Sequence, residues 1–507
     1  MQWLNKVADE VIARHPEGEI LVSSGASPSG TYHIGHLREI VTCDAIVREL
    51  ETRGRTARHL HFVDDLDALR KIPVNIPAAY EKYLGQSLCD IPSPEGHGSY
   101  ADYFLSGLLR SAKALDIDME VIYSHEKYRS GFFSSAIEKS LSNAAGAKKI
   151  LEAVSGRKLG EEWSPIQVNE DGYLKKRAFE SINTKAKTII YLDKDGSKKT
   201  TGYQEGEVKL DWRIDWPARW WLLGVHVEPF GRDHATRGGS YDTGEALVKE
   251  IFGGEPPLPV PYDFVNRTGD TKKMSASKGT GIEAAEVIEV LPPEIIRYFM
   301  LRFAPQKRLY FDPQNGVAHL IDEFAELLAK EPKSKLIRLS RAGTKPVVSQ
   351  VPFSHLLGSY QASLRDTDKT LDVIARTEHA EVAGKQAEVI KSELNYLSNW
   401  LDKWAPQEIK FELAKDIKAT NFNNSQQKFL KSLAAKIKAA PVNADGEWFH
   451  KAIYDLQSEL AMAPKDMFET LYKALIGKTS GPRAGWFLFI LPREWLIKRL
   501  KLEAWSQ

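Results

Sequence analysis

Two cysteines, Cys43 and Cys89, are all that the 507 residues contain. So few exclude a disulfide framework and point to a reducing compartment, the cytoplasm. No apolar run approaches the roughly 20 residues that a membrane-spanning helix needs, so no membrane partner is expected. Residues 1–16 hold Asp9, Glu10 and two basic side chains, with no signal-peptide apolar core. Internal repeats and low-complexity tracts are missing too. So is a strong overall charge: the net value is +1. It is unevenly spread, however. Residues 331–507 carry 27 Lys and Arg against 20 Asp and Glu, or +7, which leaves −6 for residues 1–330. A basic C-terminal part is compatible with a polyanionic partner and equally with a Lys-rich solvated helix surface. What remains, 42% hydrophobic and 27% charged residues, is ordinary globular composition. The length allows two or three domains.

The most informative stretch is Ala26-Ser27-Pro28-Ser29-Gly30-Thr31-Tyr32-His33-Ile34-Gly35-His36. The apolar run Ile20-Leu21-Val22 before it reads as a buried strand. After it, Ile34, Leu37, Ile40, Val41, Val47 and Leu50 recur at helical spacing. The stretch is therefore a strand-to-helix turn with histidines at i and i+3, which share a helix face. Backbone N–H groups and the helix dipole favour an anion there. Gly30 and Gly35 leave room for a bulky ligand against the backbone. Read alone, an H-x-x-H turn is as well explained by surface or metal-site histidines, although no cysteine or H-E-x-x-H pattern nearby completes a metal site.

Further along, Ala57–Val63 reads as a second strand ending in Asp64-Asp65-Leu66-Asp67, carboxylates at an edge where open α/β sheets bind ligands. One of the three reads as a helix cap. Residues 73–97 read as a loop with a short helix, 100–115 and 131–153 as helices, and 155–210 as a polar, glycine-punctuated stretch with a strand at Thr188–Leu192. Together, residues 73–208 read as an insertion between two halves of a sheet. Four of the 12 tryptophans fall within residues 212–221. At least two are expected in the core, but the interleaved Arg213, Asp215 and Arg219 suit a pocket for a long-stemmed charged ligand, with Asp215 neutralising an ammonium. Strand, turn and helix start follow at residues 225–240, with Gly238 and Gly239 permitting close approach. Lys272-Lys273-Met274-Ser275-Ala276-Ser277-Lys278-Gly279 reads as a basic loop able to close over a triphosphate. A strand is expected at 262–265. Beyond about residue 325 the pattern is helical, with stripes such as Ile390, Leu394, Leu397, Trp400, Leu401 and Phe429, Leu433, Ile437.

Two segments carry a resemblance. His33-Ile34-Gly35-His36 is identical to the HIGH signature of class I aminoacyl-tRNA synthetases, and Lys272–Lys278 resembles their KMSKS signature, in the expected order. Ala276 departs from it, standing where the second lysine belongs; lysyl members are similar here, with a lysine in the following S-K-G. Segments 64–71, 212–220 and 228–244 resemble the class I lysyl type in particular. The resemblance covers nearly the whole chain. It implies an α/β fold: a Rossmann-type parallel-sheet catalytic domain over 1–281 with the insertion at about 73–208, a helical connecting segment over 282–325, and an all-α anticodon-binding domain over 326–507. The insertion lacks the zinc-ribbon cysteines seen in many members, so no structural zinc and no metal ligand is expected.

The resemblance also implies roles. His33, His36, Lys273 and Lys278 would serve catalysis by holding phosphates. ATP would meet Pro28, Gly30, His33, Gly35, His36, Asp233, Gly239, Lys273, Met274, Ser275, Ser277 and Lys278. Lysine would lie among Gly25, Ser27, Asp64, Trp212, Asp215, His234 and Tyr262. In the glutamyl family an arginine precedes the S-P-T-G run and pairs with the substrate carboxylate. Ser23 stands there in this chain, which removes the partner of an acidic substrate. The expected reaction is ATP-dependent activation of L-lysine to lysyl-adenylate, with Mg²⁺ accompanying ATP, then transfer to the 2′-OH of tRNA(Lys). A monomer is expected. The rival readings are a glutamyl-type synthetase and a paralogue that adenylates an amino acid without charging tRNA. In the C-terminal part Trp400, Trp404, Phe411 and Trp448 are candidate base platforms, each weighed against a place in the core.

Overall fold

The computed structural model describes residues 1–269, 281–344, 346–414 and 417–503. These residues fall into two compact units, one of Met1–Ile288, Ile296–Phe311 and Ser334–Gly343, the other of Glu289–Ile295, Asp312–Lys333 and residues 344–507.

The first unit is built on a parallel sheet. Helix α1 (Gln2–Arg14) leads into strand β1 (Ile20–Ala26), the helix α2 (Ile34–Thr52) crosses over, and β2 (Ala57–Val63) pairs with β1 along its whole length, from Ile20 opposite Ala57 to Ala26 opposite Val63. Helix α3 (Tyr100–Ala114) precedes β3 (Glu120–Tyr123), which pairs parallel with β2. After helices α4 (Ser124–Arg129), α5 (Ser134–Ser142) and α6 (Ala144–Ser155), six strands follow: β4 (Ile166–Glu170), β5 (Tyr173–Lys176), β6 (Ala178–Asn183), β7 (Thr188–Leu192), β8 (Lys198–Gly202) and β9 (Val208–Leu210). Helix α7 (Trp212–Leu223), β10 (Val227–Gly231), α8 (Ser240–Leu247) and β11 (Leu258–Tyr262) complete the sheet, whose order is β11-β10-β1-β2-β3. The chain runs outward from β1 in one direction and then outward in the other. The C-terminal ends of β1 and β10 thus border the crevice where such sheets take ligands. Strands are buried on both faces, as parallel sheets require: β10 is buried throughout and β2 from His59 onward.

The stretch read as an insertion, 73–208, is only partly outside this sheet. Strand β3 and its crossover helix α3 lie within it and extend the parallel layer. The separate part is two three-stranded antiparallel sheets, β5-β4-β9 and β6-β7-β8. Between them the buried Arg177 pairs with Glu170 at 2.7 Å and Asp193 at 3.1 Å. The strand expected at 262–265 is two strands, β11 ending at Tyr262 and β12 (Val265–Arg267), which pairs with β13 (Leu309–Phe311) after helices α9 (Ala284–Val290) and α10 (Pro293–Leu301). Asp64, Asp65 and Asp67 precede no helix, so none of them caps one.

The second unit is helical, from α11 (Gly316–Lys330) to Arg493–Leu500. The stripe on Ala387–Lys403 is buried as its spacing requires: Ile390, Leu394, Leu397, Trp400 and Leu401. Trp400 donates its indole N–H to the carbonyl of Pro313 at 2.9 Å. Trp404 and Phe411 are buried and Trp448 is half-buried. Among the described residues no helix is long and apolar enough to cross a membrane.

Candidate active site

The turn between β1 and α2 is closed by its own histidines. His33 is the N-cap: its Nδ1 accepts from the Gly35 N–H at 3.1 Å, while Nδ1 of His36 accepts from the His33 N–H at 3.1 Å. This is a capping box in which imidazoles do the work usually done by Ser and Glu. The Ile34 N–H donates to the carbonyl of Ile282 at 2.9 Å and that of His36 to the His33 carbonyl at 2.8 Å. The expected open cradle of backbone N–H groups is therefore filled from within the protein. Gly35 has its own reason: a Cβ there would stand 2.9 Å from the His33 ring. The two imidazole centroids lie 4.2 Å apart, so the histidines share one face, as i, i+3 spacing demands.

That face borders a cavity of about 180 Å³. It is smaller than the roughly 300–1,000 Å³ of drug-sized ligand sites, on the scale of an amino acid. Its wall holds nine of the residues that the resemblance assigns to catalysis, ATP or lysine: Gly25, His33, Gly35, His36, Asp64, Trp212, Asp233, His234 and Tyr262. Aromatic rings form one side. Trp212 stacks on Trp216 with centroids 5.5 Å apart, and His234 lies 5.5 Å from each. The pocket is also acidic. Glu39 of α2 accepts from the Gly25 N–H at 2.9 Å and from the Tyr262 hydroxyl. Glu228 of β10 accepts from the indole N–H groups of Trp216 (3.0 Å) and Trp220; burial pushes its carboxyl up to about 7. Asp64 pairs with Arg219, and burial nonetheless raises it to about 6. Burial likewise pushes the Tyr262 hydroxyl well up, next to Glu39. Ser23 lines the same wall, with no cation at that position.

Residues 1–344 match the family model described as tRNA synthetases class I (K), and residues 361–503 match an anticodon binding domain. The chain belongs to the class I tRNA synthetases. Relatives run the full length. A protein named lysine–tRNA ligase from Archaeoglobus fulgidus is 37% identical over 99% of this chain and 99% of its own. One from Methanosarcina acetivorans, named lysine–tRNA ligase 1, is 34% identical over 99% and 98%, and one from Thermoplasma volcanium is 33% identical over 99% of both. The synthetase thus combines a class I α/β catalytic sheet with an all-helical anticodon-binding region, and its family implies ATP as a substrate.

Not every expected residue reaches the cavity of this synthetase. Asp215 does not line it. It is fully buried beneath the wall, accepting from Tyr128 at 2.6 Å, from Lys209 at 3.2 Å and from Arg219. Burial alone would raise its carboxyl, but Arg219 and Lys209 hold it below the usual range. A carboxylate already neutralised by two cations is no counter-ion for a third. Gly239 also lies off the wall, at the start of α8, where a Cβ would meet the Thr236 carbonyl at 2.5 Å. Gly238 has φ +69° with the Val154 carbonyl beside it. Both glycines answer to their own backbone rather than to a ligand. Ser27, Pro28 and Gly30 lie on the turn before α2 without lining the cavity. Lys273, Met274, Ser275, Ser277 and Lys278 lie outside the described residues. The sequence reading missed Glu39, although its place three residues after His36 puts both on one face.

Proposed function

We propose that this synthetase activates L-lysine with ATP, releasing diphosphate, and transfers the lysyl group to tRNA(Lys). The observation that carries the substrate assignment is the charge of the pocket beside the HIGH turn. Its small, aromatic-walled cavity holds Glu39, Asp64 and Glu228 and presents Ser23 where an acidic substrate would need a cation. Of the three acids, Asp64 already faces Arg219 and Glu228 faces two indole N–H groups. Glu39 accepts from the Gly25 N–H and the Tyr262 hydroxyl, which sets its carboxylate on the cavity wall beside two residues expected to meet lysine. The side-chain ammonium of lysine is assigned to Glu39, its methylene stem to the faces of Trp212 and Tyr262, and its carboxylate to the region of His234.

Adenylation joins the lysine carboxylate to the α-phosphate and expels diphosphate, so the enzyme's task is to position two anions and bear the charge that develops. His33 and His36 supply donors from α2, and Lys273 and Lys278 are assigned the opposite side; Ala276 gives the loop one lysine fewer in the signature. Mg²⁺ would enter with ATP, and no protein ligand is assigned to it. The helical part after residue 326 is assigned the anticodon, and the segment 282–325 the connection. A cytoplasmic monomer completes the reading. Charging of unfractionated tRNA with labelled lysine, and separately with glutamate, tests it. Lysine incorporation alone is expected. Glutamate incorporation overturns the pocket assignment, and incorporation of neither overturns charging in favour of adenylation without tRNA.

A further inference from the structure

Three potential metal donors of different chemistry converge just beyond the C-terminal end of β2, outside the substrate cavity. Asp65 follows β2, Cys89 lies in the loop before α3, and His125 opens α4. One ligand atom from each lies within 4.8 Å of the others. Backbone contacts hold the trio in place. The Cys89 N–H donates to the Asp65 carbonyl at 2.8 Å, and the His125 N–H donates to Asp65 Oδ1 at 2.9 Å. Asp65 Oδ2 meets His125 Nδ1 directly. Asp65 is buried, while Cys89 and His125 are half-exposed, which leaves a path from solvent and a side open to water. Arg129 lies 3.8 Å from the Cys89 sulfur and donates to Asp90 at 2.7 Å.

We propose that Asp65, Cys89 and His125 form a binding site for one borderline-soft divalent cation of the zinc class. Thiolate, imidazole and carboxylate together suit Zn²⁺ or Co²⁺, whereas Mg²⁺ and Ca²⁺ take oxygen shells. Metal–ligand distances of about 2.0–2.3 Å bring the three donors onto one ion once they close inward by about an ångström. The ion displaces the thiol proton of Cys89. At His125 the Nδ1 proton moves to Nε2, so that Nδ1 becomes a ligand beside Asp65. A water fills the fourth position. The role is structural. Asp64, next to Asp65, lines the substrate cavity, and Tyr128 of α4 donates to Asp215, so the ion clamps two segments that shape the wall. The donors are far apart in sequence and form no short motif, which is why a search at zinc-ribbon spacing passes over them.

Cobalt titration of the chelator-treated full-length protein tests the site without recourse to activity. One equivalent of Co²⁺ is expected to give a near-ultraviolet sulfur-to-cobalt band that Zn²⁺ abolishes. Cys89→Ser is expected to lose the band while keeping its circular dichroism spectrum, and His125→Ala to weaken Co²⁺ binding at least tenfold. Zn²⁺ is expected to raise the Tm of the wild type and not that of Cys89→Ser. Cys43 is fully buried under β1 and serves as the internal control. No band in the wild type, or the same band in Cys89→Ser, overturns the site.

Discussion

At the scale of single residues, motif and partner are different kinds of information. The histidines of the HIGH turn are legible because their spacing and their glycine form a short local pattern, and the structure shows how local it is: they cap their own helix. Asp215 is the opposite case. Its tryptophan neighbours suggest a pocket, but whether a carboxylate faces a ligand depends on cations that sequence distance conceals. Arg219 at i+4 was a visible signal, and Lys209 and Tyr128 were not. Glu39 shows the converse: an acid on the helix face of His36, three residues past it, whose meaning appears once Tyr262 and Gly25 are brought to it. If Glu39 holds the lysine ammonium, removing its charge costs a charge-assisted hydrogen bond, about 1.5–3 kcal/mol. Glu39→Gln is accordingly expected to raise KM for lysine about 10- to 100-fold. KM for ATP should stay within about twofold. Steady-state aminoacylation with each substrate varied separately checks this, and an unchanged KM for lysine moves the ammonium to another carboxylate.

Elements were legible where residue pattern and length agreed. Strands β2 and β7 lie where the sequence places them, at Ala57–Val63 and Thr188–Leu192. Strand β3 has only four residues and gives too short a pattern to stand out. Strand β11 contains Pro259 and Pro261, which argue against a strand except at a sheet edge, and an edge is where it lies. Strand β2 also carries a liability that no pattern reveals. His59 and His61 sit on one face of it, fully buried, and share the Ser24 hydroxyl at 2.7 Å each. Nδ1 of His59 and Nε2 of His61 have no hydrogen-bond partner among the described residues. Burial lowers His59 to about 3 and His61 to about 4. In the unfolded chain both titrate near 6.5. Above that value both states are neutral and the histidines do not bias folding. Below it the unfolded state gains protons that the folded state refuses, so stability falls as the pH drops from about 6.5 towards 4. Between pH 7 and pH 5 each histidine removes about 2 kcal/mol. His59→Phe, which cannot titrate, is expected to lessen the pH 7 to pH 5 loss by about that amount, whatever it does to stability at pH 7. Urea unfolding at the two values checks it, and an unaltered loss shows that His59 is already charged in the fold.

The whole molecule is read along the chain as a catalytic part followed by a helical part, whereas its two compact units alternate along the sequence. Residues 296–311 return to the first unit to supply β13, the partner of β12. Residues 334–343 return again, placing Lys335 at 2.8 Å and Arg338 at 3.2 Å from the buried carboxylate of Glu49. Arg297, fully buried, donates to the carbonyls of Leu339 at 2.8 Å and Leu115 at 3.1 Å and to Asp44, tying three distant stretches of the first unit together. Between these returns, α11 belongs to the second unit, with Val317, Leu320, Ile321 and Phe324 on its buried face. Its Asp322 accepts from the Phe353 N–H at 2.7 Å. No single cut can therefore release the first unit whole and free of segments of the second. A chain ending at Ile288 loses β13 and the ion pairs to Glu49. A chain ending at Gly343 keeps these but exposes the apolar stripe of α11, four side chains whose burial is worth about 1.5–3 kcal/mol each. Residues 1–343 are expected to elute as aggregates on size exclusion and to bind ANS, while the full chain does neither. A monodisperse 1–343 that does not bind ANS would show that the catalytic unit needs nothing from the helical one. Aggregation reversed by Val317→Ser, Leu320→Gln, Ile321→Thr and Phe324→Gln together would locate the dependence on the exposed face of α11, because the whole first unit is present in both proteins.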